Sequence, residues 1–91
     1  MNLPKRNIRI ADHSIVQEMG HGVVILNLNT EHFYELDEVG KRFWELLSDH
    51  QDSESVFNVL QDEYEVSAEQ LQTDILRLIE NLEKAELIVV S

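Results

Sequence analysis

The spacing of apolar residues changes twice along this 91-residue chain, and each change marks a new kind of element. Ile15 to Met19 and Val23 to Leu28 are short runs rich in β-branched residues, which predicts two strands. Gly20-His21-Gly22 between them supplies the glycines of a tight hairpin. In the second strand Val24, Leu26 and Leu28 share one face by period two, while Val23 and Ile25 share the other with Asn27. One face is wholly apolar and the other only partly so. Asn29-Thr30-Glu31-His32 is then a polar turn, and Phe33 to Leu36 a third strand, short enough to serve as a sheet edge. Three antiparallel strands in a meander are expected.

Beyond Leu36 the helical period takes over. Asp37 is placed to cap a first helix with Val39, Phe43, Leu46 and Leu47 along its inner stripe. Ser48 to Asp52 breaks it, and a second helix is expected from Ser53 to Glu63, with Val56, Leu60 and Tyr64 as a face and Phe57 beside them. Ser67-Ala68-Glu69-Gln70 matches the S-x-x-Q capping box of a third, with Val66 placed to staple onto Leu71. Leu71, Ile75, Leu78 and Leu82 recur every three or four residues in it, widened by Leu76 and Ile79. Leu87 to Val90 is an apolar tail that must pack back or form a short strand. Ahead of all this, residues 1–13 mix Pro4, basic residues and an Ile8/Ile10 alternation, and read as an N-terminal arm or an edge strand before a domain at 14–91. The fold class is α+β, a winged helix-turn-helix-like layout with a three-stranded antiparallel sheet followed by three helices.

At this length the chain is one domain with one modest core and little room for a deep active-site cavity. Eighteen acidic against seven basic residues give a net charge of −11. Lys5, Arg6 and Arg9 against Asp12 and Glu18 leave residues 1–22 at +1, so residues 23–91 carry −12. Such a surface repels phosphate backbones and anionic lipid, and favours cationic partners. Nucleic acid and membrane are therefore not expected as partners. The third helix, which a helix-turn-helix protein would lay against DNA, carries Glu69, Asp74, Glu80 and Glu83 against Arg77 and Lys84. With no cysteine, disulfides, thiolate metal sites and a cysteine nucleophile are excluded. No signal-peptide run or membrane-length apolar segment occurs, and a cytoplasmic location is expected.

Candidate chemistry is sparse. His13, His21, His32 and His50 fall in loops with no metal-ligand spacing among them. His13-Ser14 lacks a third partner and an oxyanion motif. Paired carboxylates such as Asp37/Glu38 and Asp62/Glu63 lie at helix ends, where capping and solvation account for them. A small acidic helical protein suggests an acyl carrier, but the D-S-[LM] attachment site is missing. No enzyme, cofactor or metal is expected.

What remains is an edge strand beside a long amphipathic helix, a groove able to take an extended peptide by strand addition. Phe33, Tyr34 and Leu36 would line it from the strand, and some of Leu71, Asp74, Ile75, Leu78 and Asn81 from the helix. Leu36, Ile75 and Leu78 are equally suited to the core. Asp74 is suited either to a hydrogen bond within the fold or to a basic peptide side chain.

The order Val-Val-Ile-Leu-Asn-Leu-Asn-Thr, Phe-Tyr-Glu-Leu, Glu-Val-Gly-Lys-Arg-Phe-Trp-Glu-Leu-Leu, then Leu71-x-x-Asp74-Ile75-x-x-Leu78-x-x-x-Leu82 and Leu87-Ile88, resembles the PqqD-like proteins. These are recognition elements for ribosomally made, post-translationally modified peptides. The likeness runs from about residue 14 to 90 and is nearest to the stand-alone form of lasso-peptide clusters. It implies a non-catalytic protein that binds the leader of a precursor peptide on its third strand and third helix. The bound leader would be presented to a leader-removing cysteine protease or another maturation enzyme. Phe33, Tyr34, Glu35 and Leu36 align with the family's pairing strand, and Asp74, Ile75 and Leu78 with its helical wall. The chain departs from the family in having Ala85-Glu86 before Leu87, where Gly is usual. The resemblance leaves open a chaperone of another modified-peptide pathway, and the composition leaves open a generic acidic adaptor.

Overall fold

The computed structural model describes residues 7–50 and 52–91. Five strands and three helices occur in the order β1 (Ile8–Ile10), β2 (Ser14–Met19), β3 (Gly22–Asn27), β4 (Phe33–Leu36), α1 (Glu38–Asp49), α2 (Ser53–Glu63), α3 (Ala68–Lys84) and β5 (Ile88–Val90). Strands β2, β3 and β4 form an antiparallel meander in that order, and β1 pairs antiparallel with β5 in a separate ribbon. The expected α+β class, with a three-stranded sheet leading into three helices, is the observed one.

Both glycines of the β2–β3 hairpin have a physical role. The two-residue loop places positive φ at Gly20 alone, +57°, the pattern of a type II′ turn. Gly22 lies so close to the Leu36 carbonyl oxygen that a Cβ there would collide with it. A side chain at this position would push β4 away from the hairpin.

The meander shields one face only. Val23, Ile25 and Asn27 turn inward and are buried, so the β3 face that carries the asparagine is the core face. The wholly apolar Val24, Leu26 and Leu28 face points outward, and Leu28 is 52 % exposed. Asn27 can be buried because its hydrogen bonds are satisfied. Its Nδ2 donates to the Ala85 carbonyl at 2.9 Å, and its Oδ1 accepts from the backbone N–H of Asn29 at 2.9 Å and of Thr30 at 3.2 Å.

The first and third helices begin at the caps expected for them, and the second is capped by Asp52, which the sequence placed in the break. Asp37 accepts from Gly40 N–H at 2.8 Å, Asp52 from Ser55 N–H at 2.7 Å, and Ser67 from Gln70 N–H at 3.1 Å. Only half of the capping box forms, because the Gln70 side chain donates to Asp74 at 3.0 Å instead of turning back to Ser67. Val66 is 47 % exposed while Leu71 is buried. The stripes of all three helices meet in one core that includes Phe43, Trp44, Leu47, Val56, Leu60, Ile75 and Leu82. Removing the fully buried Phe43 side chain would cost about 3–5 kcal/mol.

The end of α3 is a Schellman turn. Leu87 N–H donates to the Leu82 carbonyl, and Glu86 N–H to the Glu83 carbonyl, each at 3.0 Å. Glu86 sits at φ +59°, where glycine is usual. The helix end is thus built with a glutamate in the left-handed region. Leu87 and Ile88 then enter the core, and the apolar tail becomes β5. Its partner β1 contributes Ile8, fully buried, and Ala11 is buried just beyond it. Residues 7–11 thus close the far side of the core. Residues 1–6 of the expected arm lie outside the described residues.

Candidate functional site

Strand β4 is the outer member of the meander. It pairs with β3 on one side, Val23 with Leu36, Val24 with Glu35, Ile25 with Tyr34 and Leu26 with Phe33. Among the described residues nothing pairs with its other side. The phase of the ladder follows from one bond, in which Asn27 N–H donates to the His32 carbonyl at 2.8 Å. In an antiparallel pair, consecutive residues alternate between bonding their partner and facing away. His32, Tyr34 and Leu36 therefore direct their main chains at β3, and Phe33 and Glu35 direct theirs at the open edge. Two N–H groups and two carbonyls, two residues apart, stand ready for a further strand.

Side chains alternate in the same register. Phe33, 65 % exposed, and Glu35 project from the outer face of the sheet. Leu36 is buried, and Tyr34 packs half-buried against the core. On α3, Leu71 and Ile75 are core residues, and Leu78 packs half-buried against the same cluster. Asn81 is half-buried, and Asp74 is exposed with its carboxylate accepting from Gln70. The core thus gathers Tyr34, Leu36, Leu71, Ile75 and Leu78, while Phe33, Glu35 and Asp74 stand outside it. Of the helices, β4 rests on α1, and α3 packs on α2 and β5.

The outer face of the meander is the surface that the period-two pattern left unassigned. Ile15, Gln17 and Met19 of β2, Val24 and Leu26 of β3, and Phe33 and Glu35 of β4 line a shallow depression of about 630 Å³. Ile15 is 49 % and Met19 58 % exposed. The Asn27 face is the buried one because its amide finds long-range partners at the end of α3.

The ionic groups brace the scaffold. Arg42 holds both Glu63 carboxylate oxygens, at 2.8 and 2.7 Å, and so ties α1 to the end of α2. This bidentate hydrogen bonding raises the guanidinium pKa further above its ordinary value and lowers that of the Glu63 carboxyl. Tyr64 beside them is pushed up, first by desolvation and then by the charges of Glu38 and Glu63. Lys41 of α1 pairs with Glu18 of β2 at 3.3 Å. Among the described residues no group of three or more His, Asp or Glu side chains could hold a metal ion, and no helix is long and apolar enough to cross a membrane.

The model of the family described as coenzyme PQQ synthesis protein D (PqqD) matches residues 22–88. No curated protein matches the sequence. Among solved structures, TbiB1 in complex with the TbiA(beta) leader peptide superposes with a TM-score of 0.81 at 29% identity, over 88% of this chain and 93% of that one. A lasso peptide synthetase B1 complexed with the leader peptide superposes with a TM-score of 0.79 over 91% of this chain and 98% of that one. Its identity is 22%, and it supports the fold.

Proposed function

The chain belongs to the PqqD family, and from that membership we propose that it is a non-catalytic recognition protein for the leader segment of a ribosomally made precursor peptide, in a lasso-peptide system. The leader adds as a strand to the open edge of β4. The observation that carries this reading is that edge, with the main chains of Phe33 and Glu35 unpaired among the described residues, in a fold shared with a protein solved bound to a leader peptide. Main-chain bonds give register and affinity, and side chains choose the sequence.

In this reading the half-buried Tyr34 and Leu78 offer apolar contacts to the peptide, while Leu36, Leu71 and Ile75 sit in the core and support the strand and helix that carry them. Asp74 and Asn81 supply polar contacts along α3, and Phe33 and Glu35 flank the peptide from the outer face. Residues 14–91 are the recognition domain, and the segment before it is a structural edge that closes the core through Ile8. The bound leader is presented in the cytoplasm to a maturation enzyme, a leader-removing cysteine protease in lasso systems.

The test is fluorescence anisotropy with the labelled leader of the precursor encoded beside this chain, and a scrambled leader as control. Saturable binding of the native leader alone is expected. Equal binding of both, or of neither at tens of micromolar protein, would reject the reading in favour of an acidic adaptor.

A further inference from the structure

The register that leaves the main chains of Phe33 and Glu35 at the open edge also decides which side chains a guest strand meets. On the outer face, the pairing aligns Ile15, Leu26 and Phe33 in one cross-strand row, and Gln17, Val24 and Glu35 in the next. The first row is apolar from end to end and stops at the largely exposed Phe33 ring. The second stops at an exposed carboxylate. Among the described residues the Glu35 side chain makes no hydrogen bond or ion pair, whereas Lys41 and Arg42 are already paired with Glu18 and Glu63. A strand added to β4 would extend both rows by one residue each. Those two guest residues lie two positions apart, on the face opposite α3, for either strand direction.

We propose that this outer pair is a second determinant of peptide choice: a large apolar side chain beside Phe33 and, two positions from it, a lysine or arginine beside Glu35. The proposal rests on strand addition at β4 and adds a requirement on the half of the peptide that does not face the helix. Aromatic–aliphatic and opposite-charge pairs are the cross-strand combinations that stabilise a sheet, and like charges directly opposite destabilise it. The apolar row needs a fourth member because Phe33 otherwise presents its ring to water at the end of an apolar surface that already includes Ile15 and Leu26. The acid row needs a cation, and the remainder of the chain's charge, −11 overall, reinforces the same sign.

The experiment pans a displayed library of random twelve-residue peptides against the intact protein and against Glu35→Lys, after confirming that the two melt alike. Enriched peptides on the wild type are expected to carry Lys or Arg two positions from an aliphatic or aromatic residue. Panning on Glu35→Lys is expected to replace the base with Asp or Glu and keep the apolar position. One enriched peptide and its Lys→Glu counterpart are then titrated against both proteins. The substitution should cost the wild type about tenfold in affinity and cost Glu35→Lys little or nothing. An equal loss on both proteins would overturn the proposal, since overall charge and not Glu35 would be reading the base. Hydrogen exchange separates this from failure of strand addition itself: a bound peptide must slow exchange of the Phe33 and Glu35 amides. If peptides bind without that protection, or none is enriched, the β4 edge is not the site and both readings fall.

Discussion

Asn27 is the residue on which two parts of the fold depend. Its amide reaches the Ala85 and Glu86 carbonyls at the end of α3, at 2.9 and 3.4 Å, while its carbonyl organises the turn into β4. Leucine has nearly the same shape and would leave the Ala85 carbonyl and the turn N–H groups of Asn29 and Thr30 without these bonds, while the Glu86 carbonyl keeps its contact with His13. Asn27→Leu should therefore lower stability by about 2–4 kcal/mol, read from the urea midpoint. Survival of Asn27→Leu with an unchanged midpoint would mean that the α3 end is held by packing alone. Glu86 presents the opposite case. A non-glycine residue in the left-handed region carries a cost of about 1–2 kcal/mol that glycine avoids. Glu86→Gly should stabilise the protein by up to about 1 kcal/mol, since glycine also frees the unfolded chain. For a domain of this size that is a rise in Tm of several degrees.

At the scale of elements, β4 makes a prediction through its two-sided main chain. The Tyr34 N–H is turned into the ladder with β3, and the Glu35 N–H toward the open edge. Proline is tolerated on an edge strand where the missing N–H faces outward. Glu35→Pro should thus melt within a few degrees of the wild type yet bind leader at least tenfold more weakly. Tyr34→Pro should lose about 3 kcal/mol or more by breaking the ladder and the packing of the ring. Thermal melts beside anisotropy titrations check both, and a Glu35→Pro variant that binds normally would place the peptide elsewhere. The same strand shows what was legible in the sequence. Period two in Val23 to Leu28 and period 3.6 in Leu71 to Leu82 were enough to order the meander and α3, because burial of one face forces those spacings. Which β3 face was buried was not legible, because the more apolar face is the exposed one. That choice turned on the long-range partners of Asn27 at Ala85 and Glu86. A strand was one of two readings at each end of the chain, but the β1–β5 pairing was hidden, since nothing local joins residues 8–10 to 88–90. Of the candidate site, period two already separates Tyr34 and Leu36 from Phe33 and Glu35, but which pair faces the core required the register.

For the whole molecule the governing quantity is the net charge of −11, which ion pairs within the chain leave unchanged. Salt acts on it in two ways that have opposite signs. Screening relieves repulsion among the carboxylates of the folded state, so stability should rise between about 0.05 and 0.5 M salt, as the Debye length falls from roughly 14 to 4 Å. Screening also weakens attraction between this surface and a basic peptide, and over the same range leader affinity should fall, mainly through a slower association. The two trends together identify the mechanism. A loss of binding that accompanied a falling Tm would be unfolding, and a loss that accompanied a rising Tm is electrostatic recognition. The dependence should flatten for a leader whose Lys and Arg are replaced by Gln, because only main-chain pairing and apolar contacts then remain. Affinity of the native leader that is indifferent to salt would remove the acidic surface from recognition and leave the β4 edge to account for it alone.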